Sequence, residues 1–158
     1  MRRYLLFLFL TLSLTPAGAQ PKYEVRAAWV TAVYGLHWPQ TKATTPAGIR
    51  RQQEELIEIL DKLKAANFNT VLFQTRTRGD VLYKSSIEPY NSILTGKVDG
   101  DPGYDPLAFA VRECHKRGME CHAWMVALPL GNKKHVAKLG NKSVTKKRKE
   151  ICLSLIHI

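Results

Sequence analysis

Two apolar stretches of this chain end in side chains that an ordinary core strand excludes. Residues 70–73 are Thr-Val-Leu-Phe, and Gln74, Arg76, Arg78 and Asp80 follow at close spacing. Residues 120–125 read Glu-Cys-His-Ala-Trp-Met, which places His122 and Trp124 two apart. Amide, guanidinium and imidazole groups are costly to bury unless partners or a ligand satisfy them. A ligand could satisfy Gln74, Arg76 and His122, Arg76 and Arg78 could bind its hydroxyls or a carboxylate, Trp124 could stack against it, and Asp80 is a carboxyl group able to take part in proton transfer or nucleophilic attack. Each group also has a structural reading. Arg76 and Arg78 could pair with Asp80 or Glu88, Asp80 could orient either arginine, His122 could be a hydrogen-bonded buried histidine, and Trp124 could fill the core.

The elements that must position these groups are legible from caps and periodicity. Residues 25–33 form an apolar run suited to a first strand, followed by a polar, aromatic loop over residues 34–39. Thr45-Pro46 gives an N-cap with proline at the first helical position. Ile49, Leu56, Leu60 and Leu63 then recur on one face, so a helix is expected to end near Ala66-Asn67. A strand is expected from about 69 to 76, then a long loop from about 79 to 104, a length that in compact domains marks functional or disordered segments. Asp105-Pro106 opens a second helix whose stripe is Leu107, Ala110, Val111 and Cys114, and Arg117-Gly118 closes it. The third strand is expected from about 119 to 128. This β-α-β-α-β alternation predicts an α/β fold with a parallel sheet, doubly wound or closed as a barrel. In either form, ligands bind at the carboxyl ends of the strands. Three strands cannot close an eight-stranded barrel, so exposed sheet edges are expected to promote aggregation.

Alternation along the strands sets the sidedness. Val71, Phe73, Cys121, Ala123 and Met125 are expected to face helices, and Gln74, Arg76, His122 and Trp124 the opposite side.

The ends of the chain lie outside this pattern. Arg2 and Arg3, the apolar run 5–14 and Ala17-Gly18-Ala19 read as a secretory signal peptide over residues 1–19. Residues 153–158, Leu-Ser-Leu-Ile-His-Ile, match the in-frame translation of a transposase adaptor used in sequencing libraries and read as adaptor read-through. Residues 20–152 are then the domain itself, with further chain expected beyond it, and stable membrane insertion after signal cleavage is not expected. The net charge of +11 is concentrated: residues 131–150 hold eight Lys/Arg against one acid. That run has no interleaved aromatics to stack on bases, so it reads as a solvated loop or helix face and no nucleic-acid partner is expected.

The Cys114-His115 and Cys121-His122 pairs match no zinc spacing, so no metal is expected. Cys114 and Cys121 read as small buried hydrophobes, near enough across the helix–sheet layer to form a disulfide in an oxidising compartment. No Gly-rich phosphate loop and no Gly-x-Ser-x-Gly elbow occurs, and no cofactor is expected.

Several blocks, taken in order, carry a resemblance. They are residues 25–31 (Val-Arg-Ala-Ala-Trp-Val-Thr), 35–39 (Gly-Leu-His-Trp-Pro) and 69–74 with Arg76 and Arg78-Gly79-Asp80. Residues 102–107 (Pro-Gly-Tyr-Asp-Pro-Leu) and 117–124 continue the series. Over about residues 24–152 the chain resembles the bacterial glycosyl-hydrolase-like family 10, departing at His37, where that family often has an acid. The resemblance implies an incomplete (β/α)8 TIM barrel, about its first three βα units. It also implies an exported enzyme acting on the glycosidic bonds of polysaccharide or cell-wall glycan, with the glycan as partner. A carbohydrate-binding protein of the same fold is the alternative. Under this resemblance Gln74, Arg76, Arg78, His122, Trp124 and Trp38 are substrate-binding candidates. Asp80 is the catalytic candidate, the main carboxylates being expected on later strands because glycoside hydrolysis generally uses two. Glu88, Asp99 and Asp101 read as loop acids, Glu120 sits at the wrong end of its strand, and Asp105 reads as a helix cap.

Overall fold

A computed structural model describes residues 23–148. The signal-like segment 1–19, the tail 153–158 and Cys152 lie outside the described residues. The strands are β1 (Ala27–Val30), β2 (Thr70–Arg76) and β3 (Glu120–Met125). The helices are α1 (Pro46–Ala65), α2 (Pro106–Lys116), α3 (Lys133–Leu139) and α4 (Val144–Lys147). The strands form one sheet in the order β1-β2-β3, parallel throughout, so the expected α/β arrangement of parallel strands joined by helices is present.

Both long helices start and stop where the local chemistry dictates. Thr45 Oγ1 accepts from the Gly48 N–H at 3.1 Å, and Asp105 Oδ1 accepts from the Ala108 N–H at 3.0 Å. Each cap is followed by proline, whose missing N–H costs nothing in a first turn. Past α1, Asn67 takes φ +63° while the Phe68 N–H bonds back to Leu63 O at 3.0 Å. Past α2, Gly118 takes φ +62° while the Met119 N–H bonds back to Cys114 O at 3.0 Å. Both ends are Schellman closures, which need a residue that tolerates the left-handed region.

The core lies between the sheet and one helical layer. Val71 and Phe73 of β2 pack with Leu56 and Leu60 of α1 and with Phe109, Ala110 and Cys114 of α2. Cys121 packs against the same cluster from β3. The alternation read from the sequence therefore holds for β2, and Gln74 and Arg76 project from the face opposite these helices. On that face the edge strands are open, and Trp29 of β1 is 55% exposed.

The loop after β2 is packed rather than loose. The chain reverses at Thr77–Asp80, Arg76 pairs antiparallel with Val81, and Val81 also bridges Tyr90. Val81, Leu82 and Leu94 are wholly buried. The basic run is likewise partly docked. Lys142 pairs with Asp99 at 2.6 Å, Lys147 Nζ donates to Ile87 O at 3.0 Å, and Leu139, Ser143 and Val144 are buried. The described basic side chains of this run are exposed, as expected of a solvated helix face, while Leu139, Ser143 and Val144 turn the other side of the two short helices inward.

Cys114 and Cys121 are free thiols. The hydrogen bond to Cys121, then burial, pushes the Cys114 thiol up, and the same bond lowers Cys121. Cys121 is half-buried whereas Cys114 is wholly buried. Iodoacetamide should therefore modify Cys121 at least about tenfold faster than Cys114, read by peptide mass mapping, since thiolate character and access govern the rate. Equal rates would contradict this pairing.

Candidate functional site

The polar groups that end β2 are satisfied by the protein itself. The Gln74 side-chain carbonyl accepts three hydrogen bonds from the β1 exit: from Thr31 Oγ1 at 2.6 Å, Ala32 N at 2.9 Å and Val33 N at 3.1 Å. Gln74 thus fixes the loop leaving β1, and its amide nitrogen is the group without a partner among the described residues. Replacing it by methionine, similar in volume but without the acceptor, leaves the Ala32 N–H and the Thr31 hydroxyl unpaired, and the Val33 N–H with only its 3.3 Å contact to Thr31 Oγ1. The expected cost is about 3 kcal/mol. At about 1.4 kcal/mol per tenfold, hydrogen exchange at the Ala32 amide should accelerate by about a hundredfold, and unchanged exchange would rule out this role.

Arg76 is spent on structure, in the ion-pair reading of its residue type. Its Nε and Nη2 make a bidentate pair with Glu88 at 2.6 and 2.5 Å, and both side chains are 9% exposed. Nη1 donates to the carbonyls of Val126 and Ala127. The Glu88 hydrogen bonds hold the guanidinium above its ordinary range despite burial. Four of the five guanidinium N–H groups are thereby engaged, which favours the ion-pair reading of Arg76 and leaves one Nη2–H as its single donor without a partner among the described residues.

The substrate-binding expectation for Trp38 is corrected. It is wholly buried, its indole N–H donates to Gln52 O at 2.8 Å, and its ring lies 5.5 Å from that of Phe73. No ring face is open to a sugar. The anchor is Gln52 of α1, which donates to Thr41 O at 2.7 Å and accepts from the Tyr104 hydroxyl at 2.7 Å. Burial pushes the Tyr104 phenol well above its usual range.

His122 and Trp124 stand apart from the remaining candidates. His122 is exposed, with Nε2 3.0 Å from Glu120 Oε2, so it is not the buried histidine its strand position allowed. Trp124 is half-buried and meets Trp29 edge-on, the centroids 4.6 Å apart at 89°. The two rings join the edge strands across the open face of β2.

Asp80 and Arg78 do share a site. A cavity of about 390 Å³ opens where β1 and β2 end, lined among others by Tyr34, Arg78, Asp80, Asn91 and His135. Asp80 lies in its wall and is 2% exposed. Its Oδ1 accepts from the Thr77 hydroxyl, from Asn91 Nδ2 at 3.0 Å and from the Arg78 N–H at 3.3 Å. Oδ2 faces His135 Nε2 at 3.5 Å. That same Nε2 lies 3.0 Å from the Arg78 carbonyl, which can only accept, so Nε2 carries the proton. One carboxylate oxygen is thereby locked into the wall while the other faces an imidazole. The Arg78 guanidinium sits over the Tyr34 ring, 4.8 Å from its centroid, and does not pair with Asp80.

His135, Asn91 and Tyr34 were not among the sequence candidates. His135 lay inside the basic run. The one local signal was Asn132, whose Oδ1 accepts from the His135 N–H at 2.9 Å and so starts α3 at that point. Gly131, at φ +92°, is needed there: a Cβ would lie 2.5 Å from His135 Cδ2. Among the described residues no cluster of His, Cys, Asp and Glu could hold a metal ion, and no helix is long and apolar enough to cross a membrane.

The comparisons with known proteins agree with one another. The chain is 40% identical over 108 residues to the glycosyl hydrolase YngK of Bacillus subtilis (strain 168), covering 68% of this chain and 21% of that protein. It is 38% identical over 120 residues to the glycosyl hydrolase DigH of Escherichia coli (strain K12), covering 69% of this chain and 27% of that protein. The chain therefore spans between about a fifth and just over a quarter of the length of these relatives. Residues 24–155 match the model of the family described as Glycosyl hydrolase-like 10, and the chain belongs to that family.

Proposed function

We propose that the chain is the N-terminal segment of an exported glycoside hydrolase, built as a (β/α)8 barrel and acting on polysaccharide or cell-wall glycan. The observation that carries this reading is the cavity at the carboxyl ends of β1 and β2, with Asp80 in its wall and Oδ2 turned to His135. Strand ends of this kind are where (β/α)8 enzymes place their chemistry. The sheet supports the barrel over the doubly wound form in two ways. Its strands follow chain order, and α1 and α2 pack on one face rather than on both. Residues 1–19 support export. In this reading Asp80 supplies one of the two carboxyl groups that glycoside hydrolysis generally uses, and a later strand supplies the other. Arg78 and the amide nitrogen of Gln74 contact substrate. His122 and Trp124 line the barrel interior.

The test uses the full-length protein from the source gene. It is incubated with a panel of polysaccharides and purified cell-wall glycan, and new reducing ends are counted. Release of reducing ends is the expected result. Retention of glycan without new ends would replace this reading with a carbohydrate-binding protein of the same fold.

A further inference from the structure

The cavity wall carries more positive charge than its own acids neutralise. Lys42, Arg78 and Lys138 reach it from three different segments, and Asp80 is the one carboxyl group on the wall among the described residues. Lys42 Nζ donates to the Ile93 carbonyl at 2.8 Å, and Lys138 Nζ lies 3.4 Å from Ser92 Oγ. The Arg78 guanidinium rests on the Tyr34 ring. Among the described residues none of these three cations has a carboxylate partner, although other lysines nearby do, as Lys142 has Asp99. Burial lowers the Lys42 ammonium below its usual range, and the charge of Lys138 lowers it further. Asp80 makes no ion pair with any of the three: Oδ1 accepts from the Thr77 hydroxyl, Asn91 Nδ2 and the Arg78 N–H, and Oδ2 faces His135. Three cations converging on a cavity whose wall carries one carboxyl group form a ready site for an anion.

We propose that this cavity takes an acidic sugar residue of the glycan, its anionic group held by Lys42, Arg78 and Lys138. The inference rests on the glycoside-hydrolase reading and adds the charge class of the substrate. A carboxylate, a phosphate or a sulfate on the sugar would satisfy the same three cations.

The test is calorimetric titration of the full-length protein with trigalacturonate, with its carboxyl-reduced trimer, and with galactose 6-phosphate and galactose 6-sulfate. The carboxylated trimer, or one of the two esters, should bind at least about tenfold more tightly than the neutral trimer, and the arm that does so identifies the anion. Lys42→Gln/Lys138→Gln should remove that preference. Lys62→Gln/Lys64→Gln, matched in charge but placed on α1, should keep it, which separates a built site from general attraction to a basic protein. Equal binding of acidic and neutral trimers, or loss of the preference in both double variants, overturns the inference and leaves the hydrolase reading standing. Binding of the acidic sugar by a protein that cleaves no glycan would overturn the hydrolase reading alone. No binding in any arm overturns the inference.

Discussion

Asp80→Asn in the full-length protein should lower glycan turnover by about 10²- to 10⁴-fold, the usual contribution of a positioned acid–base group. The substitution is informative because of how the carboxylate is held. Thr77, Asn91 and the Arg78 N–H all address Oδ1. An asparagine with its oxygen at that point keeps all three bonds, so the reversal at Thr77–Asp80 survives. What changes is Oδ2, which becomes an NH₂ and can neither accept a proton nor attack a sugar carbon. The loss should fall on kcat with KM little changed, because the shape of the wall is kept. Asp80→Ala, by contrast, frees the three donors and should also lower stability. Normal turnover in Asp80→Asn would reduce Asp80 to a wall residue and move both catalytic carboxyl groups to later strands.

The second large effect concerns the buried pair behind the cavity. Glu88→Ala should weaken local stability around β2 by about 4 kcal/mol, because it leaves the Arg76 guanidinium buried without its counter-charge. At about 1.4 kcal/mol per tenfold, amide exchange in β2 should accelerate between a hundred- and a thousandfold, as mass spectrometry of the full-length protein would show. Replacing both partners, as Arg76→Met with Glu88→Leu, should recover only a fraction of the loss. An isolated buried pair is often replaceable by apolar side chains. Here Nη1 also serves the Val126 and Ala127 carbonyls, which the double variant leaves unpaired. Arg76→Lys should not substitute, since an ammonium cannot make the two-point contact and reach both carbonyls. Full recovery in the double variant would show that the two carbonyl contacts contribute nothing.

These two cases also show what was legible in the sequence. Strands, long helices and caps were readable because their determinants are local: Thr45 and Asp105 act three residues away, and the stripe of α1 recurs every three to four. The strand-end polar groups stand out in the sequence because burying them is costly. What satisfies them was not readable, since the partners are distant in the chain. Those of Gln74 lie 41 to 43 residues upstream, and the carbonyls that receive Arg76 lie 50 and 51 residues downstream. Burial of Trp38 has the same origin, in Gln52 fourteen residues on and Phe73 on the next strand. His135 was hidden differently. Its neighbours gave the segment a basic, featureless composition, and only the packing of α3 onto the loop after β2 brings its ring to Asp80.

The strand order has a consequence for synthesis. β1, β2 and β3 lie side by side in the order in which a ribosome delivers them, each parallel to the one before. A nascent chain assembling this sheet never has to separate strands already joined in order to admit a new one. Each βα unit, once clear of the exit tunnel, finds its template already in place at the growing edge, and Trp124 arrives last to close against Trp29, which has been waiting since the first strand emerged.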